Sequence, residues 1–91
     1  DPFLLYAMTL EFLGKNNEFC LASFRKLLTE FPDYLPTYYQ AAQLFSDCGY
    51  VEEARVTYEL GIEKTALSKN IKALEEIKNA FKNFEFEQDD Q

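Results

Sequence analysis

The strongest constraint in this sequence is a register of 34 residues. Glu18 and Glu52, Cys20 and Ala54, Phe24 and Tyr58, Leu27 and Gly61, and Leu28 and Ile62 all pair at that separation. An offset of 33 pairs Leu5 with Tyr38, Met8 with Ala41, Thr9 with Ala42 and Phe12 with Phe45. Self-similarity at a period of about 20–50 residues marks units that cannot bury their apolar face alone and therefore stack. Within each unit the apolar residues recur at three and four, which is the helical period. Each unit thus reads as two helices, and the turn inside the first pair is one residue shorter than the turn inside the second.

Punctuation supplies the ends. Pro2 suits the first turn of a helix from Phe3 to Leu13, whose Leu5, Met8, Thr9 and Phe12 share one face, and the run GKNN stops it. Glu18 to Phe31 forms a second helix, ended by Pro32 and Asp33. Pro36 opens a third that stops at Cys48 and Gly49. A fourth begins near Val51, with Glu52 and Glu53 at the positive end of its dipole, and reaches about Ala66. Ala66 stands where Pro32 stands in the first unit, so this helix can run past the earlier stop. Asn70 caps a fifth helix carrying Ile71, Leu74, Ile77, Phe81 and Phe84. The organisation expected is one domain over residues 1–84, with repeats at about 3–34 and 35–68 and a capping helix at about 70–84, followed by a frayed acidic tail at 85–91.

Small residues have a specific task in such a stack. Ala42 and Ala54 let the third and fourth helices approach closely, and Tyr38, Phe45 and Tyr58 fill the space around the contact. With those residues in place the chain resembles the tetratricopeptide repeat. That unit reads large-x2-large-small-x2-aromatic, then small-x3-aromatic, then proline. Tyr38, Ala41, Ala42, Phe45, Gly49, Ala54 and Tyr58 match it in the second unit; Leu5, Met8, Thr9, Phe12, Cys20, Phe24 and Pro32 match it in the first. The match spans about residues 3–66. The resemblance implies an all-α fold of five helices, a right-handed superhelical stack of antiparallel hairpins. The fifth helix departs from the pattern: Lys78 takes the place of Ala42, which forbids close approach of a following helix and suits a cap.

Composition narrows the function. Nearly half the 91 residues are apolar (47%) and 16% are aromatic, too rich for a disordered chain. A net charge of −7, with no cluster of Lys or Arg, repels phosphate backbones and anionic lipid, so neither nucleic acid nor membrane is an expected partner. No apolar run approaches the roughly 20 residues of a membrane-spanning helix and no signal-peptide pattern opens the chain, so the expected location is cytoplasmic. Cys20 and Cys48 read as two reduced thiols, because a secreted scaffold of this size carries four or more cysteines as a rule. The sequence has no histidine, so a Ser or Cys nucleophile lacks its usual base. The adjacent acidic pairs Glu52–Glu53 and Glu75–Glu76 point about 100° apart on a helix. The tail lacks the glycine turn of a calcium loop. No enzymatic activity, cofactor or metal is expected.

The resemblance implies that the first helix of each hairpin lines a concave groove that holds a peptide or helix of a partner protein. Projection of positions beside the packing stripe gives Tyr6, Leu10 and Leu13 from the first helix and Tyr39, Gln43 and Ser46 from the third. The capping helix adds Glu75, Asn79 and Lys82. With so few cations along it, the groove suits a neutral or basic segment rather than a carboxylate-rich tail. The expected function is a scaffold or protein–protein interaction module. The alternative is a structural homodimer in which two copies bury Phe31, Tyr34, Tyr50, Phe84 and Phe86 against each other.

Overall fold

The computed structural model describes residues 1–89. Five helices occupy them: α1 (Pro2–Glu11), α2 (Asn17–Glu30), α3 (Pro36–Asp47), α4 (Val51–Ser68) and α5 (Ile71–Asp89). The chain forms two compact units, one of Asp1–Thr37 and one from Tyr38 onward.

In the first unit, the Asp1 carboxylate accepts a hydrogen bond from the Phe3 amide at 3.0 Å and caps α1, with Pro2 just inside the start. The helix ends earlier than Leu13. The Lys15 and Asn16 amides both donate to the Phe12 carbonyl, at 2.9 and 3.0 Å, and fold the chain back at once. The turn is not the shorter one that the register suggests: five residues (12–16) separate α1 from α2 and three (48–50) separate α3 from α4, so the register shift comes out of the end of α1 and not out of the turn. Asn16 then caps α2 by accepting from the Phe19 amide at 3.0 Å. Thr9 and Cys20, the counterparts of Ala42 and Ala54, are both fully buried. The Thr9 hydroxyl donates back to the Leu5 carbonyl at 2.7 Å, and the Cys20 thiol donates to the Thr9 carbonyl at 3.4 Å, which ties the two helices together. Phe24 and Leu27 complete this core.

Met8 and Phe12 depart from expectation. Their spacing puts them on the packing stripe, yet they are 50% and 40% exposed. Within this unit α1 has one helical neighbour, so it buries only a narrow line centred on Thr9. Met8, about 100° around the helix from Thr9, falls outside that line. Phe12 keeps one contact, edge-on to Phe19 at 5.1 Å.

In the second unit, α3 closes on Gly49 at φ +87°, with the Tyr50 amide donating to the Phe45 carbonyl (2.8 Å) and the Gly49 amide to Ser46 (3.1 Å). This paired pattern satisfies the orphan carbonyls of the last turn and needs a residue without a Cβ penalty at positive φ. Ala42 and Ala54 are fully buried, as their spacing predicts. Gly61 makes the tightest approach. A Cβ placed there would lie 2.6 Å from the Cβ of Tyr38 on α3 and 2.7 Å from Cδ1 of Ile77 on α5. The α4 backbone is therefore gripped from both sides, where α2 has the buried side chain of Leu27 instead. Without a proline at its end, α4 continues to Ser68, and Lys69 terminates it in the left-handed region at φ 63°. Asn70 caps α5 through the Ala73 amide at 3.1 Å.

α5 runs to Asp89, past the boundary at residue 84, because Phe84 is buried at 3% exposure and Gln88, one turn later, is half-buried. The end of the expected tail, residues 90–91, lies outside the described residues. Tyr58 packs on Phe81 and Phe84 with ring centroids 5.6 and 5.5 Å away, and the Arg55 guanidinium lies 5.4 Å above the Phe84 ring. Phe84 is thus core and leaves the set of aromatics offered for dimerisation. Tyr34 leaves it in part, since it packs edge-on to Tyr6 at 5.5 Å.

Two expectations follow from this packing. Gly61→Ala forces Tyr38 or Ile77 aside and should lower unfolding free energy in urea titration by about 1–3 kcal/mol. Leu60→Ala, one residue away on an exposed face, should stay within about 0.5 kcal/mol of wild type. Neither cysteine is in a disulfide; Cys20 is buried and Cys48 partly open. A thiol reagent should therefore modify Cys48 in the native protein and reach Cys20 only on unfolding.

Candidate functional site

Tyr39, Gln43 and Ser46 on α3 are spaced by four and three, so they share one helical face. α4 contributes Tyr58, and α5 contributes Ala80, Asn83, Phe84 and Glu87; these residues together line a cleft of about 140 Å³ in the second unit. Pockets for small organic ligands run to about 300–1,000 Å³, so this cleft has the size for one side chain. Gln43 donates its amide to the Asp47 carboxylate at 3.4 Å, which turns its carbonyl oxygen into the remaining acceptor.

Tyr58 forms the floor. It is 2% exposed, and its hydroxyl has no hydrogen-bond partner among the described residues. Burial first, then the nearby Tyr39, Asp47 and Glu87, push its pKa up from 10 to about 12. These neighbours all act in the same sense because each is, or becomes, an anion. The cleft consequently combines a neutral phenol with a carboxylate rim. It can receive hydrogen-bond donors and positive charge, and it holds no nucleophile paired with a base. Among the described residues, no group of three or more His, Cys, Asp or Glu could hold a metal, and no helix is long and apolar enough to cross a membrane.

The structure brings Tyr39, Gln43 and Ser46 to this cleft and leaves Asn79 and Lys82 off it. The reason lies in the phase of α5. Its buried residues Ile77 and Phe84 set the inward line, and Ala80, Asn83 and Glu87 lie adjacent to that line or one turn along it. Asn79 and Lys82 sit two residues from Ile77 and Phe84 respectively, which on a helix is nearly the opposite side. They are exposed, as is Glu75. The offset of 36 carries α3 positions across without fixing the rotation of α5, which Ile77 and Phe84 set. Periodicity misses Tyr58 because it doubles as core. On the first unit, Tyr6, Leu10 and Leu13 are each half-buried, and Tyr6 has its pKa raised by burial and by Tyr34.

The crystal structure of a tetratricopeptide repeat domain protein from Salinibacter ruber matches this chain at 35% identity with a TM-score of 0.88, covering 93% of this chain and 96% of that one. The solution NMR structure of a tetratricopeptide repeat domain protein from the same organism matches at 35% identity and a TM-score of 0.86, covering 93% and 87%. No family model matches the sequence, and no curated protein does.

The raised phenol gives a pH dependence. Tyr58 ionises near pH 10 in the unfolded chain but near 12 in the fold, so its contribution to stability is complete below about pH 10 and is lost as pH rises through about 12. Melting temperature measured across that window should fall, and Tyr58→Phe should remove part of the fall.

Proposed function

We infer function from membership: this chain belongs to the tetratricopeptide repeat family. Its fold is an all-α array of helix hairpins, in general a non-catalytic scaffold for protein–protein interaction. We propose a non-enzymatic module that holds a peptide or helix of a partner protein against the face carrying Tyr39, Gln43 and Ser46. The observation that carries this reading is the cleft those residues line in the second unit. An aromatic anchor with amide and hydroxyl groups around it is the composition of a small binding hot spot within a polar rim. Asn79 and Lys82, exposed on α5 outside the lining, and Tyr6, Leu10 and Leu13 on the first unit are proposed as further contacts. The absence of a disulfide between Cys20 and Cys48 supports a reducing, cytoplasmic setting.

A second reading has its own observation. Leu4, Met8 and Phe12 recur every four residues and expose an apolar stripe along α1 and its C-cap, at 63, 50 and 40% of their surfaces, and Phe3 near the helix start is 58% exposed. Self-association through that stripe would cover it.

Capture from native lysate with wild type and with Tyr39→Ala, Gln43→Ala tests the first reading. Both positions are exposed, so the variant should melt within a few degrees of wild type while losing specific partners. Identical partner lists would sink it. Light scattering over a hundredfold dilution tests the second, which a constant single-chain mass contradicts.

A further inference from the structure

We propose that the cleft lined by Tyr39, Gln43, Tyr58, Asn83 and Glu87 receives one cationic side chain, a lysine or arginine, from the partner's peptide. The inference rests on the reading of this face as the binding face and names the chemistry it selects. Two independent observations converge on it.

The first is the Tyr58 hydroxyl. The residue is 2% exposed, yet its hydroxyl is not among the sealed-off polar atoms that lack a partner, so the oxygen is reached from the cleft. Here the floor hydroxyl meets the cleft and none of the described residues bonds to it. Its oxygen, solvated in the free chain, can accept from a donor that enters the cleft in place of water.

The second is charge. Glu87 lines the cleft, Asp47 stands close enough to act on Tyr58, and nothing cationic lines the opening. Arg55 is engaged elsewhere: it lies over the Phe84 ring and contacts Glu52 at 3.5 Å. Lys78 and Lys82 are exposed on α5 outside the lining. An entering ammonium or guanidinium, costly to bury alone, would meet the Glu87 carboxylate, the Tyr58 phenol oxygen and the free carbonyl oxygen of Gln43. Tyr39, on the rim, offers a ring face to the alkyl stem or to the charge itself. About 140 Å³, the space of four or five waters at about 30 Å³ each, suits one such side chain.

The test titrates the isotope-labelled chain with acetylated, amidated Gly-Lys-Gly and Gly-Arg-Gly tripeptides at low salt, following backbone amide shifts. Norleucine and glutamate tripeptides are the controls. We expect saturable shifts centred on Gln43, Ser46, Asn83 and Glu87 with the cationic peptides, and binding about tenfold weaker or worse with norleucine. Glu87→Gln should weaken the cationic peptides about tenfold. Tyr58→Phe should weaken them severalfold without lowering the melting temperature, since no internal hydrogen bond is lost. Equal response to norleucine, shifts spread along acidic surfaces such as Glu75 and Glu76, indifference to Glu87→Gln, or no shift at all would each overturn the proposal. If it falls while Tyr39→Ala, Gln43→Ala still loses its captured partners, the binding face stands and only its selectivity is wrong.

Discussion

The approach of the α4 backbone to its neighbours at Gly61 is the contact on which the second unit depends. With Tyr38 on one side and Ile77 on the other, each under 3 Å from where a Cβ would stand, no other residue type fits without displacement. Ala42 on α3 and Ala54 on α4 are both without exposed surface, as small residues at a close helix contact would be. Close backbones leave room for large side chains only at the margins, which is where Phe45, Tyr58, Phe81 and Phe84 pack. The first unit meets the same demand with Thr9 and Cys20, whose polar atoms are answered by a backbone bond and a thiol contact.

That geometry also positions the cleft. Tyr58 is held by aromatic contacts to two residues of α5, so its hydroxyl has a fixed place between α3 and α5. The anionic groups around it gain effect from burial, because a charge in a poorly solvated cleft is screened less than one on an open surface. The lining holds one carboxylate, Glu87, and no cation, so its field favours positive charge.

Much of the fold was legible in the sequence because a repeat states each fact twice. The pairing of Thr9 with Ala42 and of Cys20 with Ala54 identified the close contacts before any coordinate, and both pairs are buried. What the repeat could not tell was where the pattern breaks. Met8 aligns with fully buried Ala41 but lies on a helix with fewer neighbours in its unit, and periodicity does not count neighbours. The role of Gly61 was hidden for the opposite reason: its partner in register is Leu27, so similarity of position concealed a difference in how the space is filled. The cleft was half legible. Tyr39, Gln43 and Ser46 follow from α3 alone, whereas the α5 contribution depends on the rotation of that helix, which an alignment offset does not set.

The most direct test of this account is a nuclear Overhauser measurement on the native protein. It should show strong cross-peaks from the Gly61 α-protons to the β-protons of Tyr38 and to the δ1-methyl of Ile77. Absence of both cross-peaks in a well-folded sample would contradict the close approach, and with it the placement of Tyr58 at the floor of the cleft.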